Sequence, residues 1–410
     1  MEDSKPKFKC DSETEKPSLV LVHEPGLEVL LAVEHPHDWG FDPSLTEYNK
    51  SSGRWLEDAV REHQEMTRIL KREDIGVLHL KDLLERNIPN VVKYLENQFE
   101  RVWQRIGNFD SKVQSAIREA YEQIVESPVE GLLQGLEFGK IFRQLPYDVK
   151  MQVYRSLKTM TPQTSIYFMQ DPVIASPAGL IKSRMSMWIR RQEPDIVEIA
   201  LGKENYIHRL RSTTEGGDVT MCSYPHKEAF AHGGDISYTN GRMLFGISAL
   251  SGENIDGEIE TLAERASVTS LIKLYVPDYF DHRKRYATEN VMHNDTIQMP
   301  VSSWELLANK MMLEQSAVRE GRLPVNAYDW AFRGHNGKRN FERLIEVPDD
   351  EQLLWGSNVF PIGDRKVLSV RHLPKTNRNL REAGHEVFDL KAKTITSGYG
   401  SWHCMIAYLR

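Results

Sequence analysis

The sequence is short of cysteine, of basic charge and of long apolar runs, and each shortage narrows what the chain can be. Three cysteines in 410 residues, Cys10, Cys222 and Cys404, are too few and too scattered for a disulfide framework, and no CxxC or Cys/His pairing has zinc-site spacing. No metal and no cofactor are expected. The formal charge of −7 leaves no basic face to neutralise phosphates, so a nucleic-acid partner is not expected. The short cluster "DHRKRY" carries an acidic neighbour and reads as a solvated face. No apolar stretch is long enough to span a bilayer, and "MEDSKPKFKCDSETEKPS" lacks the apolar centre of a signal peptide. A soluble, non-exported, cytoplasmic protein without a membrane partner is the expectation. With 40% hydrophobic and 27% charged residues, the chain has the composition of a globular protein with a substantial core.

Periodicity divides the chain. Residues 1–17 are polar and are expected to be disordered. "SLVLVHEP" reads as a strand, "AVREHQEMTRILKRED" as an amphipathic helix and "GVLHL" as a second strand. Residues 84–159 then show only helical spacing, as in "NVVKYLENQFERVWQRI" and "SKVQSAIREAYEQIVE", which predicts a helical insertion. From residue 160 onward strands such as "SIYFMQDPVIAS", "GRMLFGIS", "SLIKLYV", "ENVMHNDTIQM", "SNVFPI" and "KVLSV" alternate with helices such as "DGEIETLAERA" and "SWELLANKMMLEQSAVREG". An α/β core, residues 18–83 and 160–410, interrupted by the helical insertion is therefore expected. No short-period repeat is visible, although a loose β/α unit would escape inspection of this kind.

Four polar sites stand out. Cys404, six residues from the end in "SWHCMIAYLR", fits a packing residue, a metal ligand, a disulfide partner or a nucleophile. His293 and Asp295, two apart in what reads as a strand, would share one face. Asp171 stands before Pro172, at what reads as a strand end. Asp235 follows two glycines and enters a hairpin whose "TNGR" turn supplies the Asn-Gly that tight turns favour. Each alone has a structural explanation: a satisfied histidine, a strand terminator, a glycine bend. Together, a thiol that can attack carbon, a histidine that can move protons and carboxylates that can grip a planar cation suit a guanidine substrate.

In order and spacing, "VLVHEPG", the helical insertion, "YFMQDP", "GGD" before a hairpin, "MHNDT", "GSNVFPIG" and "HCM" make the chain resemble the arginine deiminases of the guanidine-modifying superfamily. That resemblance implies a five-bladed α/β propeller. It makes Cys404 the nucleophile, His293 the general acid/base, Asp171 and Asp295 guanidinium ligands, and Arg190 the partner of a substrate carboxylate. Phe168, Asn358, Asp235 and the residue before GGD, His232, then line the pocket. The implied activity is hydrolysis of a guanidine C–N bond through an amidino-cysteine, releasing ammonia or an amine and a ureido product such as citrulline. Transfer of the amidino group to an amine is the alternative, and a catalytically weak guanidine-binding relative a further one. The expected partner is a small guanidine and the expected assembly a homo-oligomer, in which the helical insertion suits a pocket cover or a subunit interface equally.

The chain also departs from that pattern. His232 stands where glutamate is usual; "TTEGGDVTM" retains a glutamate, Glu215, but lacks the following hairpin, so the His232 alignment is preferred. Two arginines usual in that pattern are missing, one where Leu250 and Ser251 stand and one where Tyr399 stands; loss of the first weakens the grip on an α-carboxylate and opens the question of free arginine as substrate.

Overall fold

The computed structural model describes residues 8–39, 52–210, 229–239, 241–248, 251, 255–275, 293–319, 324–334 and 339–410. Glu215, Leu250, Cys222, Asn240 of the expected hairpin turn and the "DHRKRY" cluster lie outside them. The repeat that inspection of the sequence does not reveal is present in the strand pairing: one unit, an antiparallel strand pair followed by a helix and a parallel strand, recurs five times.

In the first unit Leu19–Val22 pairs in parallel with Gly76–His79 after the helix Ser52–Arg72, and the antiparallel partner of Leu19–Val22 is the last strand of the chain, Ala407–Tyr408. The second runs Val173–Ser176, Gly179–Lys182, helix Glu193–Leu201, Tyr206–Arg209. The third runs Ile236–Thr239, Arg242–Ile247, helix Ile255–Arg265, Ser270–Tyr275. The fourth is Gln298–Pro300, Glu305–Ala308 and, after an excursion, Arg343–Glu346. The fifth is Phe360–Pro361, Lys366–Val370, helix Pro374–Glu382, Glu386–Leu390. A parallel pair needs a crossover, and here a helix supplies it.

In the fourth unit the central strand is the most apolar of the three. Leu306, Leu307 and Ala308 are fully buried, and each such leucine contributes about 2 kcal/mol by leaving water. This corrects the helix expected over "SWELLANKMMLEQSAVREG". Glu305–Ala308 is a strand, Lys310–Gln315 a short helix, and Ala317–Arg319 a strand that extends the third sheet. Asn309 makes the break: its side chain accepts the Met312 N–H at 2.9 Å as an N-cap and donates to Val347 O at 2.9 Å.

The helical region runs from Leu80–Arg86 to Tyr147–Leu157. It shares one core with the first unit rather than forming its own, with Val91, Phe99, Val102 and Ile117 in the same cluster as Val20, Leu21 and Tyr408. Residues 8–17, expected to be disordered, are packed. Phe8, Cys10 and Glu13 are buried, Glu13 N–H donates to Tyr238 O at 2.9 Å, and Tyr408 Oη donates to Glu13 O at 3.1 Å.

Candidate active site

Each of the five units contributes a polar residue at the same place, the turn that leads into its first antiparallel strand. Asp171 precedes Val173–Ser176, Asp235 precedes Ile236–Thr239, His293 and Asp295 precede Gln298–Pro300, Asn358 precedes Phe360–Pro361, and Cys404 precedes Ala407–Tyr408. Backbone hydrogen bonds join these turns: Gln170 N–H donates to Cys404 O at 2.9 Å, and Gly233 N–H to Asp171 O at 3.1 Å. Residues distant in sequence are thus placed in one buried cluster.

Two expectations about local geometry need correction. Asp171 stands at the entry to a strand, not at the end of one. His293 and Asp295 do not alternate along a strand; His293 caps a short 3-10 turn, Asn294–Thr296, so a turn rather than a pleat sets their directions. Glycine at position 234 is required by close approach, because a Cβ there would stand 2.8 Å from His293 Nδ1 and 3.0 Å from Asp171 Oδ1. Gly400 serves the same end beside the cysteine, where a Cβ would meet the Phe168 ring at 2.6 Å and Cys404 Cβ at 3.1 Å.

Cys404 Sγ lies 3.4 Å from Asp295 Oδ2. Burial pushes its thiol pKa up, and Asp295 and Asp171 push it further. Burial above all, with the two carboxylates adding to it, favours the protonated sulfur in the free protein. Asn358 holds the cysteine turn. Its Oδ1 accepts Ser401 N–H at 3.0 Å and Cys404 N–H at 3.3 Å, and its Nδ2 donates to Asp295 O at 3.4 Å.

Arg190 is committed to the protein. Its Nη1 donates to Asp171 Oδ2 at 2.6 Å, its Nε to both oxygens of Glu193 at 3.0 Å, and its Nη2 to Glu193 Oε2 at 2.8 Å and more distantly to the Ser165 and Phe168 carbonyls. The expected role as partner of a substrate carboxylate is corrected accordingly, since the planar fork is already filled. Burial opposes the charge of Asp171, but His293 and Arg190 outweigh it and hold the carboxyl down at about 2. Glu193, unforeseen in the sequence, is pushed up to about 7 by burial, against the pull of Arg190.

His403 was also unforeseen, although it adjoins the cysteine. Its Nδ1 bonds Asp295 Oδ2 at 2.8 Å and its Nε2 lies 3.6 Å from Glu13 Oε2. Burial disfavours its charge, but the two acids win and raise its pKa to about 10. Glu13 comes from the segment expected to be disordered, and no local signal in the sequence marks it.

His232 faces His293, with Nδ1 to Nε2 at 2.8 Å, and its Nε2 accepts the Ser186 N–H at 3.0 Å. Both ring nitrogens of His232 are thus engaged within the protein. Asp235 Oδ2 accepts the His232 N–H at 2.9 Å, and burial raises the Asp235 carboxyl to about 7. His232, Asp235 and His293 present ligand atoms within 4.8 Å of one another, close enough to share a cation. The Ser186 bond weighs against that use, because a neutral imidazole binding metal through Nδ1 would carry a proton on Nε2, facing another N–H. A large open cleft of about 1170 Å³ lies elsewhere, between the helical region and the second unit, lined by Asn90, Tyr94, Arg101 and Lys182.

The sequence model of the family described as arginine deiminase matches residues 51–410. The chain belongs to that family and, with it, to the pentein superfamily of guanidine-modifying enzymes. SxtG, an amidinotransferase from Microseira wollei, superposes with a TM-score of 0.57 at 11% identity, over 98% of this chain and 97% of its own. DDAH from Pseudomonas aeruginosa, a cysteine-to-serine mutant complexed with citrulline, superposes with a TM-score of 0.51 at 13% identity, over 96% and 99%. These likenesses bear on the fold, which is pentein-like. In sequence, the uncharacterized protein YkgA of Bacillus subtilis is 24% identical over 224 residues, 54% of this chain and 62% of its own. A 2-nitroimidazole nitrohydrolase of a Mycobacterium species is 35% identical over 95 residues, 22% of this chain. The matches span 62% and 25% of the lengths of these two relatives. Among the described residues no helix is long and apolar enough to cross a membrane.

Proposed function

We propose that this member of the arginine deiminase family hydrolyses a C–N bond at the central carbon of a guanidine, with Cys404 as nucleophile. The observation that carries the proposal is the placement of the Cys404 sulfur 3.4 Å from Asp295 Oδ2, in one buried cluster with Asp171 and His293. The thiol is neutral until the substrate arrives. A guanidinium bound against Asp171 and Asp295 cancels the negative charge that holds the sulfur proton, and its own charge favours the thiolate. Sulfur then bonds to the guanidine carbon and the C–N bond to the leaving nitrogen breaks. The proton given up by sulfur ends on that nitrogen, with His293 as the group that moves it. Water adds to the amidino-cysteine, the C–S bond breaks, and the products are a ureido compound and the restored thiol. His403 keeps Asp295 oriented throughout.

Asp171 is already bridged to Arg190, and Arg190 is not available to hold an α-carboxylate, so substrates lacking one, such as agmatine, rank with arginine derivatives. A second reading is favoured by the nitrohydrolase relative. In a 2-nitroimidazole the carbon bearing the nitro group is flanked by two nitrogens, as a guanidine carbon is, so sulfur could attack there and release nitrite. A mass-spectrometric product screen over free arginine, N-substituted arginines, agmatine and 2-nitroimidazole separates these. A ureido product supports the leading reading, nitrite the second, and amidino transfer to an added amine the transferase alternative. No product from any of them, with no covalent labelling of Cys404 by a haloacetamidine, contradicts catalysis.

A further inference from the structure

One contact in the cluster has no part in the hydrolysis as proposed: the meeting of two buried histidines. The backbone N–H of Ser186 points at His232 Nε2 from 3.0 Å. A backbone N–H only donates. His232 Nε2 therefore presents its lone pair, and the proton of the neutral ring is on Nδ1, which lies 2.8 Å from His293 Nε2. We infer that His232 sets the tautomer of His293: it donates from Nδ1 to His293 Nε2, so that His293 rests neutral with its own proton on Nδ1, facing Asp171 Oδ1 at 3.6 Å.

The alternative arrangement fails on lone pairs. A charged His293 would donate from Nε2, and His232 would have to accept there while also accepting from Ser186. A neutral imidazole has one ring lone pair for this purpose, not two. Charging His293 requires the rings to separate or the Ser186 bond to break. Burial and Arg190 oppose an imidazolium, but Asp171, Asp235 and Asp295 outweigh them and raise the His293 pKa above its ordinary value, so the hydrogen bond from His232 has to act against these charges. Asp235 does not compete for the shared proton, because its Oδ2 takes the His232 backbone N–H at 2.9 Å and lies 3.6 Å from His232 Nδ1. The donated bond holds the neutral form against the carboxylates, because a hydrogen bond to the neutral form disfavours charging. His232 is a positioning residue in this role.

The consequence for turnover rests on the proton-moving role proposed for His293; the tautomer does not. The test is nitrogen NMR of the full-length chain with ¹⁵N-labelled histidine, free of ligand, at neutral pH, with signals assigned by single substitutions. The expected result is a neutral His293 protonated on Nδ1, and a neutral His232 likewise. Asparagine can place its amide nitrogen where His232 Nδ1 stands, so His232→Asn keeps the His293 signature. Glutamine reaches instead toward the Nε2 position, so His232→Gln frees His293, whose proton affinity rises about tenfold, one pKa unit; the acid limb of kcat/KM moves up correspondingly. A His293 that is doubly protonated in the wild-type chain, or carries its proton on Nε2, overturns the inference. An unchanged His293 in His232→Gln does the same. If the variants do not fold, the wild-type spectrum alone decides, and it does so whether or not any guanidine is turned over.

Discussion

The two sides of the cluster use the same residue types to opposite effect. On the Cys404 side, both nitrogens of His403 face carboxylates, those of Asp295 and Glu13, and the ring is held charged. On the Asp171 side, one nitrogen of His232 faces a backbone N–H and the other a second imidazole, and the ring is neutral, with a pKa driven well down, above all by burial. The second neighbour of a buried histidine, rather than its burial, decides its charge. The difference suits the chemistry: a fixed charge orients Asp295 beside the nucleophile, while an uncharged pair leaves His293 able to exchange a proton.

The comparison breaks most visibly at His403. His403→Ala removes the ring that Asp295 and Glu13 both face, and the expected cost is about 3–5 kcal/mol of stability, the usual penalty for splitting a buried pair. Denaturant unfolding measures it, and a loss below about 1 kcal/mol would contradict the charged assignment. Gly234→Ala should cost somewhat less, about 1–3 kcal/mol from overpacking, and should also suppress turnover, because the added methyl displaces His293 and Asp171; the same unfolding curve and an assay on the best substrate check both effects.

The pH dependence sharpens the contrast. His403 is raised from 6.5 to about 10, so its stabilising contribution is fully present below about pH 6.5 and is lost as pH rises through about 10. Thermal unfolding as a function of pH should show that alkaline loss in the wild-type chain and not in His403→Gln. Asp235 has the opposite sign for an acid, being raised from 3.8 to about 7. Its ionisation destabilises the fold increasingly as pH rises from about 4 to about 7. Asp235→Asn, which can still accept the His232 N–H, should therefore match or exceed wild-type stability above pH 7 and gain nothing in acid. This is the smallest effect of the set, and a loss of stability at every pH would contradict it.

Much of the site is legible in the sequence. Cys404, His293, Asp171, Asp295 and Asp235 stand out as polar residues in apolar or glycine-rich surroundings, and the structure brings all five together. What escapes is determined by tertiary partners. Glu13 looks like one more acid in a polar segment, and its contacts with Tyr238, Tyr408 and His403 order it. Arg190 reads as a free cation until Glu193 and Asp171 close around it. His232 reads as a missing anion, and nothing local reveals the Ser186 N–H that fixes its proton. The fivefold repeat is hidden because the first unit borrows its antiparallel strand, Ala407–Tyr408, from the far end of the chain. The Glu305–Ala308 strand is lost inside a helical-looking run because a buried central strand carries no alternation to recognise.

The central claim is that Cys404 becomes covalently attached to the central carbon of a guanidine during turnover. Acid quenching of the enzyme during steady-state turnover of the best guanidine from the screen, followed by mass spectrometry of the peptide carrying Cys404, tests it directly. The account predicts an amidino adduct on that cysteine, absent without substrate, and a fall in turnover of roughly 10⁴-fold or more in Cys404→Ala with the fold intact. An unmodified cysteine throughout, together with turnover retained in Cys404→Ala, would contradict it.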